Sequence, residues 1–299
     1  MNYIIQKKCN ICGGFQRKIL YTFSEQNLVK CLKCGLVYLD KQRSDLENLY
    51  NGDYYFNSEN KNANYFNYYS RDQENLMKGN FGFAYKFIKE NISVNRTYSL
   101  LDIGAGFGYF LNYLPRKVEA SAVEVSRLAV KEIKKLGVLV YQKDFLKVPI
   151  NKKYDYLTAF DVMEHQTDLK AFLEKCHKIS KPGGYLLITI PDYGSVLNKL
   201  LGKKAPVIQP RYHNYYFGRR WLEVNLPKMG WEIISLRTTY FTKMTLDHLV
   251  LMASFAYPAI LKMKLNHLLE RKNWGKKIVT FYRMGGIEAI IKVKSTTVI

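Results

Sequence analysis

The sequence predicts an α/β protein: a doubly wound, mostly parallel seven-stranded sheet with a small N-terminal zinc-ribbon module. Three observations carry this. From about residue 80, strand-like apolar runs alternate with helical stretches, the pattern of parallel strands with helices on both faces. One run leads straight into a glycine-rich turn, LLDIGAGFGYF over 100–110, at the kind of strand–helix junction where such sheets bind ligands. Four of the five cysteines form two C-x-x-C pairs near the N-terminus.

The cysteine pairs come first along the chain. Cys9-Asn-Ile-Cys12 and Cys31-Leu-Lys-Cys34 are separated by 18 residues, a zinc-ribbon spacing. Gly13 and Gly35 follow the second cysteine of each pair, where a positive φ is cheap only for glycine. Four thiolates complete a tetrahedral zinc shell, so the expected role of the metal is structural. Disulfides and a redox pair are the alternatives. A reducing compartment opposes the first, and the two matched pairs oppose the second. The module is expected over 1–40. A Tyr/Asn-rich connector over 41–79 follows, either an ordinary ordered link or a cover across the next domain or a substrate mouth.

The main domain is expected over 80–243. FGFAYKFIKENI reads as an amphipathic helix. The strand candidates are YSLLDI, EASAVEV, GVLVY, YDYLTAF and YLLITI, then WEIISLRTTY and GIEAIIKVK. Helices are expected over 107–114, 126–136 and 168–179, with the lone Cys176 in the core, and RRWLEVNLPKMG forms a further helix. Lys181-Pro182-Gly183-Gly184 reads as a turn. Residues 193–218 form an irregular basic insertion, and 244–299 are expected to add a helical region and the last strand.

Net charge is +21, and residues 193–299 hold 18 basic against 5 acidic side chains. That field favours an anionic partner, unless it is only a solubilising surface. No apolar run reaches the roughly 18 to 20 residues of a transmembrane helix, and the expected location is cytoplasmic. The apolar stretch 249–261, followed by KMKLNHLLERKNWGKK, admits peripheral contact with the anionic inner face of a membrane. A core helix is the plainer reading.

The glycine turn limits the ligand. A dinucleotide fingerprint would place glycine at 109, where Tyr109 stands, and Asp102 precedes Gly104, Gly106 and Gly108. A carboxylate there repels a diphosphate and suits a cationic ligand. Other acids end the neighbouring strands. Glu124 is placed to take both ribose hydroxyls, Asp144 an adenine amino group with Phe145 flanking the ring, and Asp161 closes the fourth strand. Together they suit S-adenosylmethionine, a nucleoside with a positive, non-phosphorylated tail.

The pieces LLDIGAGFGYF, AVEVS, KDF, YDYLTAFDVMEH and KISKPGGYLLITIPD resemble those of class I S-adenosylmethionine-dependent methyltransferases, over about residues 80–240. The resemblance implies a Rossmann-like sheet, with Gly104, Gly106 and Gly108 near the methionine portion, Glu124 at the ribose, and Asp144 with Phe145 at the adenine. The zinc ribbon, CGLVYLDK and HNYYF look like a bacterial surface-glycan and secondary-metabolite subgroup that includes sugar C-methyltransferases. The implied acceptor is then a small molecule or glycan, such as a nucleotide sugar or lipid-linked saccharide, methylated on oxygen or carbon.

Methyl transfer is chiefly alignment of two reactants, with a base for a hydroxyl or carbon acid. Glu164 and His165 follow the fourth strand, and His213 lies in the insertion; these are the catalytic candidates. Tyr215 and Tyr216 are placed in an acceptor pocket, and Arg211 on its phosphate. Each has a plainer reading as a packing, capping or solvated residue. An RNA methyltransferase is the rival function, since zinc ribbon, charge and tyrosines all fit it. Against it, FDVMEH lacks the Asn/Asp-Pro-Pro-aromatic loop of base-amine enzymes, and Cys176 lies past that loop. A non-catalytic cofactor-binding module is the second alternative.

Overall fold

The computed structural model describes residues 2–51, 81–245 and 278–294. The N-terminal module consists of short strands β1 (Tyr3–Ile5), β2 (Arg17–Thr22), β3 (Asn27–Cys31), β4 (Val37–Leu39) and β5 (Lys41–Arg43). β2, β3 and β4 form an antiparallel meander, and β1 pairs antiparallel with β5. Each C-x-x-C turn closes on its own backbone: the Gly13 amide donates to the Cys9 carbonyl at 2.9 Å and the Gly35 amide to the Cys31 carbonyl at 3.0 Å. Both glycines take the expected positive φ, 67° and 77°. The module extends past residue 40, because β5 belongs to it, and α1 (Leu46–Asn51) follows.

The main domain begins with α2 (Gly82–Glu90), β6 (Tyr98–Ile103) and β7 (Val118–Val123). Next come α3 (Arg127–Lys135), β8 (Leu139–Tyr141), β9 (Tyr154–Phe160), α4 (Leu169–Ile179) and β10 (Ser180–Pro191). α5 (Val196–Leu201), β11 (Tyr215–Tyr216), α6 (Arg219–Asn225), β12 (Trp231–Thr245) and β13 (Ile278–Val293) complete the order. The seven-stranded sheet runs β12-β13-β10-β9-β6-β7-β8. β8, β7, β6, β9 and β10 are parallel, while β13 is antiparallel to both its neighbours. The winding reverses between β6 and β9, which places the ligand crevice at their carboxyl ends. Every residue of β6 is buried, as a strand covered on both faces requires.

Local signals set several boundaries. The Ser126 hydroxyl and the Asp168 carboxylate accept from the third amide onward and cap α3 and α4. Cys176 is buried within α4. The helix expected over 107–114 is only a 3₁₀ turn at Leu111–Tyr113: Gly108 has φ +75°, and Pro115 stops propagation. The turn expected at 181–184 is instead the irregular start of β10, with a register shift between Ser180 and Tyr185.

Two further features of the organisation join parts that the sequence separates. The insertion 193–218 is not irregular throughout. Its β11 pairs with β4, giving a four-stranded sheet β11-β4-β3-β2, and Ala205, Val207 and Tyr216 pack with Leu28, Val37 and Leu39. Nor does the main domain end at 243, because β13 is an interior strand. One core continues from Val29, Cys31, Leu36 and Tyr38 of the module to Leu101, Leu157 and Ile287 of the large sheet. Most of the Tyr/Asn-rich connector and the stretch 249–261 lie outside the described residues. Among the described residues, no helix is long and apolar enough to cross a membrane.

Close packing at the start of β10 gives a test. A Cβ on Gly184 would lie 2.9 Å from the Lys181 carbonyl oxygen and 3.1 Å from that of Tyr154, whereas one on Gly82 meets nothing within 4 Å. Gly184→Ala should lower the melting temperature by the equivalent of about 1–3 kcal/mol. Gly82→Ala should leave it unchanged or slightly raised. Thermal melts of the two variants check this.

Candidate active site

The turn after β6 is held by its own backbone. The Gly104 amide donates to the Val123 carbonyl at 2.8 Å, and Gly104, Gly106 and Gly108 have φ of +70°, +53° and +75°. A Cβ on Gly104 would sit 2.5 Å from Val162 Cγ2, so the loop after β9 packs directly on the glycine turn. Gly106 has open space around it, and its amide donates to Glu124 Oε2 at 2.8 Å. Glu124 Oε1 accepts from the Val125 and Ser126 amides, each at 2.8 Å. One buried carboxylate therefore ties the turn after β6 to the cap of α3. Burial raises the Glu124 pKa, and the three amides oppose that rise. A carboxylate has about four lone-pair sites. Three are spent on amides, which leaves about one for a further donor.

The other strand-end acids differ in what they do. Asp102 is buried and accepts from Thr158 Oγ1 at 2.6 Å across the β6–β9 pair. It is a buried contact between the two central strands, not a charge open to a cationic ligand. Burial pushes its pKa up to about 7; the Thr158 hydrogen bond lowers it and the Glu124 charge raises it. Asp144 Oδ1 accepts from the Leu146 amide at 2.9 Å, and the Asp144 amide donates to Glu47 Oε1 of α1 at 3.2 Å. Phe145 does not present an open face for adenine. It is buried edge-on against Phe172, with centroids 5.3 Å apart, and Lys175 Nζ lies 4.8 Å from its ring centroid. Asp161 carries the one positive φ among described non-glycine residues, 52°, a conformation aspartate tolerates better than most. Its Oδ1 accepts from Thr189 Oγ1 at 3.1 Å.

Beside this crevice the structure brings the three catalytic candidates together. Glu164 and His165 lie on a 3₁₀ turn, Met163–His165, and His213 comes from the insertion. His165 Nε2 is 3.9 Å from Glu164 Oε1, and the two imidazoles meet edge-to-face with centroids 4.9 Å apart. His165 Nδ1 donates to the Tyr212 carbonyl at 2.8 Å and His213 Nδ1 to the Val207 carbonyl at 3.1 Å. A carbonyl only accepts, so each neutral ring keeps its lone pair on Nε2. Burial lowers the pKa of both, with His165 adding to the effect at His213, which falls to about 3.

Asn214, not among the expected site residues, fixes this cluster. Its amide donates to the Glu164 carbonyl at 2.8 Å, and its carbonyl accepts from the Leu39 amide at 2.9 Å. Its side-chain NH₂ reaches the carbonyls of Arg43, His165 and Gln166 at 3.1–3.2 Å. Tyr215 and Tyr216 are corrected: they do not line an open acceptor pocket. Strand alternation sends Tyr215 into the large core and Tyr216 into the module's smaller one. Arg211 is exposed, its guanidinium 5.7 Å from the Tyr212 ring centroid.

The four cysteine sulfurs also converge. Cys9 Sγ is 3.5 Å from Cys34 Sγ, Cys12 Sγ is 3.5 Å from Cys31 Sγ, and all four lie within 4.8 Å of one another. The first knuckle docks on α4 through Asn10, whose side chain donates to Asp168 Oδ1 at 3.0 Å and accepts from the Lys170 amide at 2.8 Å. The second docks through Asn225 Nδ2, 3.4 Å from the Cys34 carbonyl.

A sheet of this order, with a triple-glycine turn after its first central strand and an acid ending the next, defines the S-adenosylmethionine-dependent methyltransferase class. The chain belongs to the methyltransferase-domain family, whose model matches residues 38–236. Two ubiquinone biosynthesis O-methyltransferases are similar over part of their length. That of Rhodopseudomonas palustris (strain BisB18) is 28% identical over 96 residues, and that of Chelativorans sp. (strain BNC1) is 30% identical over 100 residues. Each match covers 30% of this chain and 38% of the relative. Among solved structures, a Bacillus halodurans chain assigned as a methyltransferase superposes with TM-score 0.51 at 15% identity, covering 71% of this chain and 100% of that one. A Galdieria sulphuraria chain assigned as a sarcosine dimethylglycine methyltransferase gives 0.50 at 18%, covering 74% and 86%. At these identities the likeness shows the fold.

Asp102 gives a pH test. Its folded pKa of about 7 exceeds the unfolded value of about 3.9. Between the two, the folded chain holds a proton that the unfolded chain does not, so this contribution to stability is full below about 4 and is lost as pH rises through 7. Asp102→Asn should therefore cost more stability at pH 5 than at pH 8, by on the order of 2–4 kcal/mol. Urea melts at the two pH values check the difference.

Proposed function

We propose that the chain methylates a hydroxyl of a small-molecule acceptor, with a saccharide or nucleotide sugar as the specific class. The observation that carries this is the meeting of two parts at one sheet edge: the Gly106–Glu124 tie and the Glu164–His165–His213 cluster. When bound, S-adenosylmethionine supplies a methyl activated by its sulfonium sulfur. Gly104, Gly106 and Gly108 leave the backbone room for its methionine part, Glu124 takes a ribose hydroxyl, and Asp144 takes the adenine amino group. The partial likeness to ubiquinone biosynthesis O-methyltransferases supports oxygen as the acceptor atom. The resemblance of the cysteine module and HNYYF to glycan enzymes supports the saccharide.

The chain's own groups have simple tasks. The loop from Asp161 to His165 and the insertion wall hold the acceptor in line with the methyl and exclude water. The acceptor proton passes to the neutral Nε2 of His165, and Glu164 beside it stabilises the imidazolium; His213, its pKa held near 3, packs edge-on against that ring and orients it. Arg211 at the rim attracts an anionic acceptor. The four cysteines hold one zinc as a closed structural site, which keeps both knuckles docked on α4 and α6.

Incubation with S-adenosylmethionine labelled in the methyl group, against nucleotide sugars, hydroxylated small molecules, lipid extracts and total RNA, tests the reading. Label should appear in the small-molecule or saccharide fraction as a base-stable ether. Label confined to RNA would replace this reading with the nucleic-acid one, which the basic residues 193–299 favour. For the zinc, elemental analysis should show that a Cys9→Ser, Cys31→Ser variant has lost one equivalent relative to the parent protein. Equal metal contents would reject the structural site.

A further inference from the structure

We propose that Glu164, His165 and His213 form a binding site for a divalent first-row cation, distinct from the four-cysteine site. One ligand atom from each lies within 4.8 Å of those of the other two. All three side chains belong to residues over nine-tenths buried, at 1%, 8% and 6% exposure. Metal–nitrogen and metal–oxygen bonds of about 2.0–2.2 Å, at tetrahedral or octahedral angles, set neighbouring donor atoms about 2.8–3.6 Å apart. The 3.9 Å between His165 Nε2 and Glu164 Oε1 is a few tenths of an ångström longer, a gap that a small side-chain rotation closes.

The backing of the imidazoles points the same way. A ligating histidine characteristically gives its second N–H to a carbonyl or carboxylate, which fixes tautomer and ring orientation. Here both do so, His165 to the Tyr212 carbonyl and His213 to that of Val207, and both accepting carbonyls belong to the insertion. One proton acceptor would be enough for a base, yet two oriented imidazoles and a carboxylate converge. Two nitrogens and one oxygen suit Zn²⁺, Co²⁺, Fe²⁺ or Mn²⁺ better than Mg²⁺ or Ca²⁺. The three donors leave coordination positions for an acceptor oxygen, so the cation would hold a hydroxyl and ease its ionisation; with both Nε2 lone pairs on the cation, it replaces the histidine as the activating group and the acceptor proton leaves to water. That last role rests on the methyl-transfer reading; the binding site itself does not.

Protein with its cysteine site filled by zinc, freed of loose metal, is titrated with Mn²⁺ and followed by the electron paramagnetic resonance of the free ion. Mn²⁺ disfavours a thiolate site. The wild type should bind one equivalent and gain melting temperature. His213→Ala and Glu164→Gln should each weaken Mn²⁺ by about tenfold or more, while retaining zinc and a native circular dichroism spectrum. Absence of Mn²⁺ binding up to millimolar concentration, or undiminished binding in both variants, overturns the site. Calorimetry with S-adenosylmethionine on the same samples separates the two readings. Cofactor binding without Mn²⁺ binding removes only the cation site. Mn²⁺ binding without cofactor binding removes only the methyl-transfer reading.

Discussion

The carboxylate of Glu124 is the constraint on which the crevice depends. Positive-φ glycines alone would leave the turn after β6 many conformations. The Gly106 amide is held by Glu124 Oε2, and the amides of Val125 and Ser126 by Oε1. The loops after β6 and β7 thereby become one rigid edge. Charge-assisted bonds to backbone amides are the stronger kind, and burial makes their loss costly. Val162 then closes the edge from the β9 side, filling the space a side chain at Gly104 would take.

On the other side of the crevice, the wall is shared between parts far apart in sequence. β11 of the insertion completes the module's sheet, and Asn214 beside it grips the backbone of Arg43, Glu164, His165 and Gln166. The cysteine module therefore acts as more than an appended bead. Its fold sets where His213 stands relative to Glu164 and His165, and Asn10 and Asn225 fasten its two knuckles to the helices behind them. α1 reaches the same edge through Glu47, which accepts from the Asp144 amide.

The parallel strands were legible in the sequence because strands buried on both faces are near-continuous apolar runs. YSLLDI and YDYLTAF match β6 and β9 almost residue for residue. The cysteine knuckles and their glycines were legible because spacing and backbone geometry are local. The helix over 107–114 was misread because its apolar spacing is helical, while Gly108 at positive φ and Pro115 stop it from forming. Tyr215 and Tyr216 could not be placed from sequence: a two-residue strand leaves no periodic trace, and its partner β4 lies more than 170 residues away. For the same reason the acids at the strand ends could be found, but not their partners. Asp102 turned out to face Thr158, and Glu124 to be largely occupied by amides. The catalytic candidates lie in two separate stretches of the sequence, and only the tertiary fold shows that they meet.

Calorimetric titration with S-adenosylmethionine and with its demethylated product tests the central claim most directly, using the wild type and Glu124→Gln. A single carboxamide oxygen cannot serve three amides and a ribose hydroxyl. The wild type should bind both compounds, and the variant should bind them at least about tenfold more weakly. A wild type indifferent to both compounds yet binding NAD or ATP, or a variant with undiminished affinity, would contradict that claim.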